Sequence, residues 1–405
     1  MNKIFFIKNI LKFAVLLLLI IFSSSSSKAY AIWTKYTENP ILSTKKQSSW
    51  FITHILNPYI IKETDTYKVW FTGNVRFGGR WNIGYGSSQN GIDNWTINSN
   101  PVLSPSGDWE TDVNLVSIIK DQSIYKTWYN TNKLTWQSGS DRYRLGYATA
   151  SADLSWIKYG HILKGGTDLN SWDKGGADRG LSVLLINGTY HLWYAGTNDN
   201  DLAVNPYWRI GYATSMTGTD WVKQNNGNPV IEPTETWELK NVSYPFVLYE
   251  DGLFKMWYAT GDGDAMTRYV YATSTDGITW NKPADKNPVF DATGKIGDFD
   301  SKNLSGHTIL RENDIYKMWY SGYNGSRWSI GYATSSADPI PVTPAPTPME
   351  PVIIVPGIFT SWNKEGMIHG QKNPTTPWRI LPFVEEYIGI IQTLNYHGLT
   401  RRGIL

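Results

Sequence analysis

Hydrophobic and polar residues alternate strictly along short runs of this chain, and the runs recur. In Tyr-Lys-Met-Trp-Tyr at residues 316–320, Tyr316, Met318 and Tyr320 share one face while Lys317 and Trp319 take the other. That period of two is the signature of a strand. Versions of the run stand at residues 67–71, 125–129, 190–194 and 254–258, a spacing of about sixty residues. A second run, Ile-Gly-Tyr-Ala-Thr-Ser at residues 330–335, alternates large with small, and its relatives lie at 83–86, 145–149, 210–214 and 270–273. Turn pairs such as Asn187-Gly188 and Asp251-Gly252 punctuate the runs and favour tight hairpins.

Each unit therefore reads as four strands. The first follows an aromatic-acid pair (Trp109-Glu110, Trp172-Asp173, Trp237-Glu238, Phe299-Asp300), and the fourth reads Trp-x-Lys with Asn-Pro-Val beyond it, as at residues 280–290. Four-stranded antiparallel units repeated in this way make a β-propeller, an all-β fold whose radial order leaves only short edges. The fifth unit stops after its third strand, whereas residues 33–42 (Trp-Thr-Lys-Tyr-Thr-Glu-Asn-Pro-Ile-Leu) form a fourth-strand sequence standing alone. Together the two pieces make one blade, so the sequence predicts five blades closed by the N-terminal strand. The four recurrent acids are expected to be structural acceptors between blades, because recurrence at equivalent positions suits a scaffold.

Composition agrees with a packed aromatic core: 14% of residues are aromatic, 20 of them Trp and 25 Tyr, and only 18% are charged. A formal charge of +2 without a basic stripe argues against nucleic acid. Lys3, Lys8 and Lys12, an apolar run at residues 13–22 and Ala29-Tyr30-Ala31 have the layout of a secretory signal peptide over residues 1–31, with an uncleaved anchor as the alternative. The expected location is secreted or at the cell surface, and with no cysteine no disulfide contributes. The propeller spans residues 32–338. Residues 339–351 hold six prolines and read as a stiff linker, and residues 352–405 open with a buried-strand run, Val-Ile-Ile-Val-Pro-Gly, that starts an incomplete α/β segment.

The repeated elements resemble those of the five-bladed propellers of glycoside hydrolase families 32, 43, 62 and 130. That resemblance implies a central funnel, lined by the starts of the innermost strands, where carboxylates act on a glycosidic bond. Val-Pro-Gly-Ile-Phe-Thr-Ser-Trp at residues 355–362 resembles the opening strand and oxyanion turn of lipase-like α/β-hydrolases of the lecithin–cholesterol acyltransferase type, whose Gly-x-Ser-x-Gly elbow this sequence does not contain.

Two-carboxylate hydrolysis needs groups about 5–5.5 Å apart for retention or about 6.5–9.5 Å for inversion. Counting back from each second strand gives the funnel positions: His54 and Asn57, Asp112 and Asn114, Asp178 and Arg179, Asn241, Ser243 and Tyr244, then Asn303, Ser305 and His307. The resemblance would place a general base at Asn57 and an acid at Ser243, and neither residue type can serve. Asp112 and Asp178 remain as the candidate catalytic pair. His54, Asn57, Asn114, Arg179, Asn241, Tyr244, Asn303 and His307 are the candidate substrate-binding residues, for an oligo- or polysaccharide. The other reading of Asp112 and Asp178 is that each accepts backbone N–H groups at a strand start. Trp81, Trp136, Trp208 and Trp328 precede the third strands and either stack on sugar faces or pack between blades. Asp199, Asp201, Asp262 and Asp264 are read as solvated loop acids. No spacing argues for a metal site or a cofactor. Two functions follow: a glycoside hydrolase-like enzyme, or a non-catalytic glycan-binding or surface-interaction module attached to a lipase- or esterase-type hydrolase.

Overall fold

The computed structural model describes residues 33–44, 50–51, 53–74, 80–107, 109–132, 143–168, 171–198, 207–262 and 265–336. The chain divides into two units, Met1–Ile340 and Pro341–Leu405, and every described residue lies in the first. The leader, the proline-rich linker, the α/β-hydrolase-like segment, Trp136, Asp199, Asp201 and Asp264 lie outside the described residues.

Strand β1 (Thr34–Lys35) precedes the first complete blade, which comprises β2 (His54–Glu63), β3 (Thr66–Asn74), β4 (Asn82–Ser88) and β5 (Thr96–Ile97). Blade two is β6 (Asp112–Asp121), β7 (Ile124–Asn132), β8 (Tyr143–Ala150) and β9 (Trp156–Leu163); blade three is β10 (Gly176–Ile186), β11 (Thr189–Thr197), β12 (Trp208–Ser215) and β13 (Val222–Lys223). A parallel pairing, Gly176 with Tyr143, links these two blades into a single sheet. Blade four is β14 (Asn241–Glu250), β15 (Leu253–Asp262), β16 (Ala265–Ser274) and β17 (Phe290–Asp291). Blade five is β18 (Asn303–Glu312), β19 (Ile315–Tyr323), β20 (Trp328–Ser336) and, as its outer strand, β1.

The innermost strands β2, β6, β10, β14 and β18 lie each against the next, and β18 returns to β2. The protein is a closed five-bladed β-propeller. Thr34 pairs with Thr334 and Lys35 with Ala333, so the N-terminal strand closes the ring as the repeat predicts. The Asn-Pro motif has a local reason. Asn39 accepts the Tyr332 N–H through Oδ1 and donates from Nδ2 to the Tyr332 carbonyl, replacing a stretch of strand ladder with one side chain. Asn287 does the same to Tyr271 in blade four.

The recurrent acids act within their blades, which corrects the expectation that they bridge neighbouring ones. Each sits beneath its own second strand and takes the last tyrosine hydroxyl of Tyr-Lys-x-Trp-Tyr together with the lysine of its own fourth strand. The sets are Glu110 with Tyr129 and Lys158, Asp173 with Tyr194 and Lys223, Glu238 with Tyr258 and Lys282, and Asp300 with Tyr320 and Lys35. In blade one all three members are apolar: Phe51 replaces the acid, Phe71 the tyrosine and Ile97 the lysine, and the Phe51 and Phe71 rings meet at 5.3 Å. A buried carboxylate is tolerable only with its partners, so the three positions change together.

Contacts between blades use the other half of the motif. An acid ending one innermost strand takes the lysine of its own second strand and the first tyrosine of the next blade: Glu63 with Lys68 and Tyr125, Glu250 with Lys255 and Tyr316, Glu312 with Lys317 and Tyr67. At the junction of blades three and four the acid becomes Ile186, the lysine His191 and the tyrosine Phe254, and the His191 and Phe254 rings pack at 5.9 Å. The motif tryptophans are buried as expected. Trp128, Trp193 and Trp319 donate their indole N–H to carbonyls of Gly218, Gly277 and Gly91 in the neighbouring blade.

Candidate functional site: the funnel

Every innermost strand slips register against its partner at the same level, between Leu56 and Tyr59, Asn114 and Val116, Ala177 and Leu181, Ser243 and Phe246, and Leu304 and His307. Asn57, Arg179 and Tyr244 occupy the left-handed region there, with φ of 53°, 56° and 52°. A non-glycine residue in that conformation stores about 1–3 kcal/mol and is held only by its surroundings. These bulges crowd the axis with Pro58, Gly180, Pro245 and Gly306, leaving a constriction of about 20 Å³. Beneath it Tyr59 and Phe246 face each other with ring centroids 6.3 Å apart. The constriction thus narrows the axis between the mouth, where the innermost strands begin, and a cavity of about 330 Å³ at their far ends, lined by Tyr59, Lys62, Phe246, Leu248 and Glu312.

Asn57 is held from both neighbouring blades, five and two. Its N–H donates to Ser321 Oγ at 2.7 Å, and its Oδ1 accepts from Ser305 Oγ at 2.7 Å and the Gly306 N–H at 2.9 Å. Its Nδ2 donates to Asn114 Oδ1 at 2.9 Å, and that oxygen also accepts from Thr72 Oγ1 at 2.8 Å. Asn57 is buried, so both its amide atoms are occupied in fixing the bulges of blades five, one and two. Asn130 acts likewise at the junction of blades two and three, reaching the Ala177 carbonyl and the Gly180 N–H.

The residues that start the innermost strands form a second series. Asp112 Oδ1 accepts the Trp81 N–H at 2.8 Å, Asn241 Oδ1 accepts the Trp208 N–H at 2.8 Å, and His54 Nδ1 accepts the Trp328 N–H at 3.3 Å. One position thus does one job with three side chains: it receives the backbone N–H where the previous blade's third strand begins. Burial, with the Arg327 charge nearby, lowers the His54 pKa below its ordinary value and keeps the imidazole neutral for this role.

Of the remaining candidates, Asp178 and Arg179 are half-buried on the bulge of β10, and the Arg179 guanidinium lies 4.9 Å from the Trp208 ring. Tyr244 is half-buried on the bulge of blade four, and Asn303 is half-buried at the start of β18 in blade five. His307 lies in the constriction between Tyr269 and Phe246, at ring distances of 4.3 and 6.0 Å, and burial pushes its pKa down to about 3. Its two ring nitrogens are buried and find no hydrogen-bond partner among the described residues.

Sequence reasoning left the third-strand tryptophans undecided, and the structure separates them. Trp208 is completely buried, whereas Trp81 and Trp328 each keep some exposed surface. Tyr323, which the alternation did not single out, stacks on Trp328 at 4.9 Å, and Trp81 lies 5.8 Å from His54. An aromatic wall of Tyr323, Trp328, His54 and Trp81 thus runs along the mouth from blade five to blade one. Its signal in the sequence was Tyr323 closing the second strand of the fifth unit, five residues before Trp328. Among the described residues no group of three or more His, Asp or Glu side chains is placed to hold a metal ion, and no helix is long and apolar enough to cross a membrane.

No family model matches this chain. It is 30% identical over 162 residues to two uncharacterized proteins of Mycobacterium tuberculosis, an alignment covering 38% of this chain and 50% of each relative. The chain thus spans about half the length of the curated relatives it matches. Solved structures match over most of the propeller. A GH130-family structure, from work describing mannoside phosphorylases and hydrolases of β-1,2 mannosidic linkages in Candida mannan, superposes with a TM-score of 0.56 at 18% identity, covering 78% of this chain and 98% of that one. A glycosyl hydrolase from Bacteroides ovatus gives 0.57 at 17%, covering 77% and 97%. A thermostable family-43 glycoside hydrolase gives 0.54 at 16%, covering 71% and 89%. At these identities the likeness is one of fold. The protein has the glycoside hydrolase-type propeller fold.

Proposed function

We propose that this is an exported glycan-binding propeller that holds a saccharide at the funnel mouth without cleaving it by a carboxylate pair. The observation that carries the reading is the equivalence of His54, Asp112 and Asn241. Asp112, one of the two carboxylates among the candidate catalytic positions, stands where an amide and an imidazole serve equally well, receiving a strand-starting N–H. The neighbouring level offers Asn57, Asn114, Ser243 and Ser305, leaving Asp178 as its single carboxylate. The aromatic wall supplies what a binder needs: the partly exposed rings of Tyr323, Trp328 and Trp81 for the C–H faces of sugars, with Asp178 and Arg179 on blade three to offer hydroxyl partners.

The test is a polysaccharide and oligosaccharide panel probed with the full chain by calorimetry, alongside Trp81→Ala and Trp328→Ala. Loss of one stacking ring is expected to weaken binding about tenfold, the equivalent of about 1.4 kcal/mol. The hydrolytic reading, favoured by the fold likeness, rests on Asp178 with Asp112. Glycoside turnover lost in both Asp112→Asn and Asp178→Asn would establish it and overturn the binding-only proposal.

A further inference from the structure

The four acid–tyrosine–lysine sets within the blades are not equivalent. In blades two, three and four both carboxylate oxygens are used. Glu110 Oε1 takes the Tyr129 hydroxyl while Oε2 takes Lys158 and the Ser106 N–H; Asp173 Oδ2 takes Tyr194 and Lys223 while Oδ1 takes the Gly166 N–H; Glu238 Oε1 takes Tyr258 while Oε2 takes Lys282 and the N–H groups of Thr234 and Glu235. In each, the preceding loop folds a backbone N–H onto the acid. In blade five the loop does otherwise: the Thr293 N–H goes to the Asp300 main-chain carbonyl.

Asp300 Oδ2 consequently carries Lys35 at 2.7 Å and Tyr320 at 3.1 Å, while Oδ1 has no hydrogen-bond partner among the described residues. The Asp300 side chain is only 2% exposed, and it borders a cavity of about 480 Å³. Asp300 Oδ1 keeps solvent contact at the edge of the cavity, where a ligand hydroxyl can take the place of water as its donor. The cavity wall adds Asp298, Asn324 and Arg327, and the aromatic sides of Tyr36 and Phe299. Its charges are two cations, Lys35 and Arg327, against two anions, Asp298 and Asp300. That balance suits a neutral ligand rich in hydroxyl groups better than an anion or a metal ion.

We propose that this blade-five cavity is a second saccharide site, separate from the funnel, which holds one or two units of a neutral glycan. A sugar hydroxyl donates to Asp300 Oδ1, Arg327 and Asn324 supply donors at the mouth, and a pyranose face rests on Tyr36 or Phe299. The volume falls within the usual range of about 300–1,000 Å³ for small-ligand sites. The inference does not rest on the funnel reading, and binding here is expected to survive Trp81→Ala.

The experiment titrates the full chain with a panel of methyl glycosides and disaccharides, read by saturation-transfer NMR and calorimetry. Four proteins decide it: wild type, Asp300→Asn, Thr37→Trp, which fills the cavity from an exposed position, and Asp173→Asn, which damages the equivalent set in a blade where both oxygens are already bonded. A Kd near about 1 mM, weakened at least about tenfold by Asp300→Asn and Thr37→Trp and unchanged in Asp173→Asn, supports the site. If Asp300→Asn fails to fold, Thr37→Trp decides alone. Binding that Thr37→Trp leaves intact, absence of binding by every glycoside, or a preference for inorganic phosphate or calcium overturns it.

Discussion

Asn57 and Asn114 meet across the junction of the first two blades, with the Nδ2 of one donating to the Oδ1 of the other at 2.9 Å. The bond has a direction: Asn57 Oδ1 already accepts two donors, so Nδ2 must face Asn114. Asn57→Asp places a carboxylate oxygen against an amide oxygen in a buried site. It is expected to destabilise the fold by about 1–3 kcal/mol in urea denaturation and to confer no hydrolysis. A stable, active Asn57→Asp protein would show that the position is a vacated catalytic site rather than a structural one.

The apolar version of the acid set in blade one makes a stability prediction for blade two. Lys158→Met leaves Glu110 buried beside Tyr129 without its cation and should cost about 3–5 kcal/mol. The triple change Glu110→Phe, Tyr129→Phe, Lys158→Ile copies Phe51, Phe71 and Ile97 and should return to within about 2 kcal/mol of wild type. Denaturation midpoints in which the triple variant is no better than Lys158→Met would mean that the sets do not exchange as units.

Stability should fall with acid in two steps. Burial holds the His307 pKa at about 3, against about 6.5 unfolded. A depressed folded pKa means that the stabilisation is complete above about 6.5 and is lost as pH falls toward 3, because the unfolded chain binds the proton first. Between about pH 6.5 and 4.5 this one residue contributes a slope approaching 1.4 kcal/mol per pH unit at the lower end, and His307→Phe should remove it. Burial also lowers the pKa of His191, and burial with the Arg327 charge that of His54, so both steepen the same limb.

The second step belongs to Glu63 and Glu312, each held at about 2. Burial raises both, but Lys120, Tyr125 and Lys68 outweigh it at Glu63, and Tyr67, Lys317 and Lys62 at Glu312. Their stabilisation is present above about 4.5 and is lost as pH falls to 2. Equilibrium unfolding across pH, with Glu63→Gln and Glu312→Gln, checks this limb; a fall below about pH 4.5 as steep in those variants as in wild type would contradict it.

The fold was legible because the repeat writes each strand five times, and because residues 33–42 carry the fourth-strand pattern with no third strand before them. The site was less legible, for a physical reason. Period-two alternation tells which face a residue takes, yet not which neighbour it meets one blade away. Glu110 and Glu63 look alike as acids near aromatic runs, but one bonds within its blade and the other between blades. Nothing local marks Asn57 as a left-handed bulge residue bonded to Ser305 and Ser321, which follow it by some two hundred and fifty residues. That Asp112, Asn241 and His54 receive the same strand-starting N–H is visible in the structure alone, because the donor comes from the previous blade.

The central claim is that the funnel holds a glycan without a working carboxylate pair. It is tested most directly by incubating the full chain with each glycan it binds and measuring released sugar or sugar phosphate by mass spectrometry, with Asp112→Asn and Asp178→Asn in parallel. The account predicts no product from any of the three proteins, with binding kept in Asp112→Asn and weakened in Trp81→Ala. Product formed by wild type and abolished in both aspartate variants would contradict it.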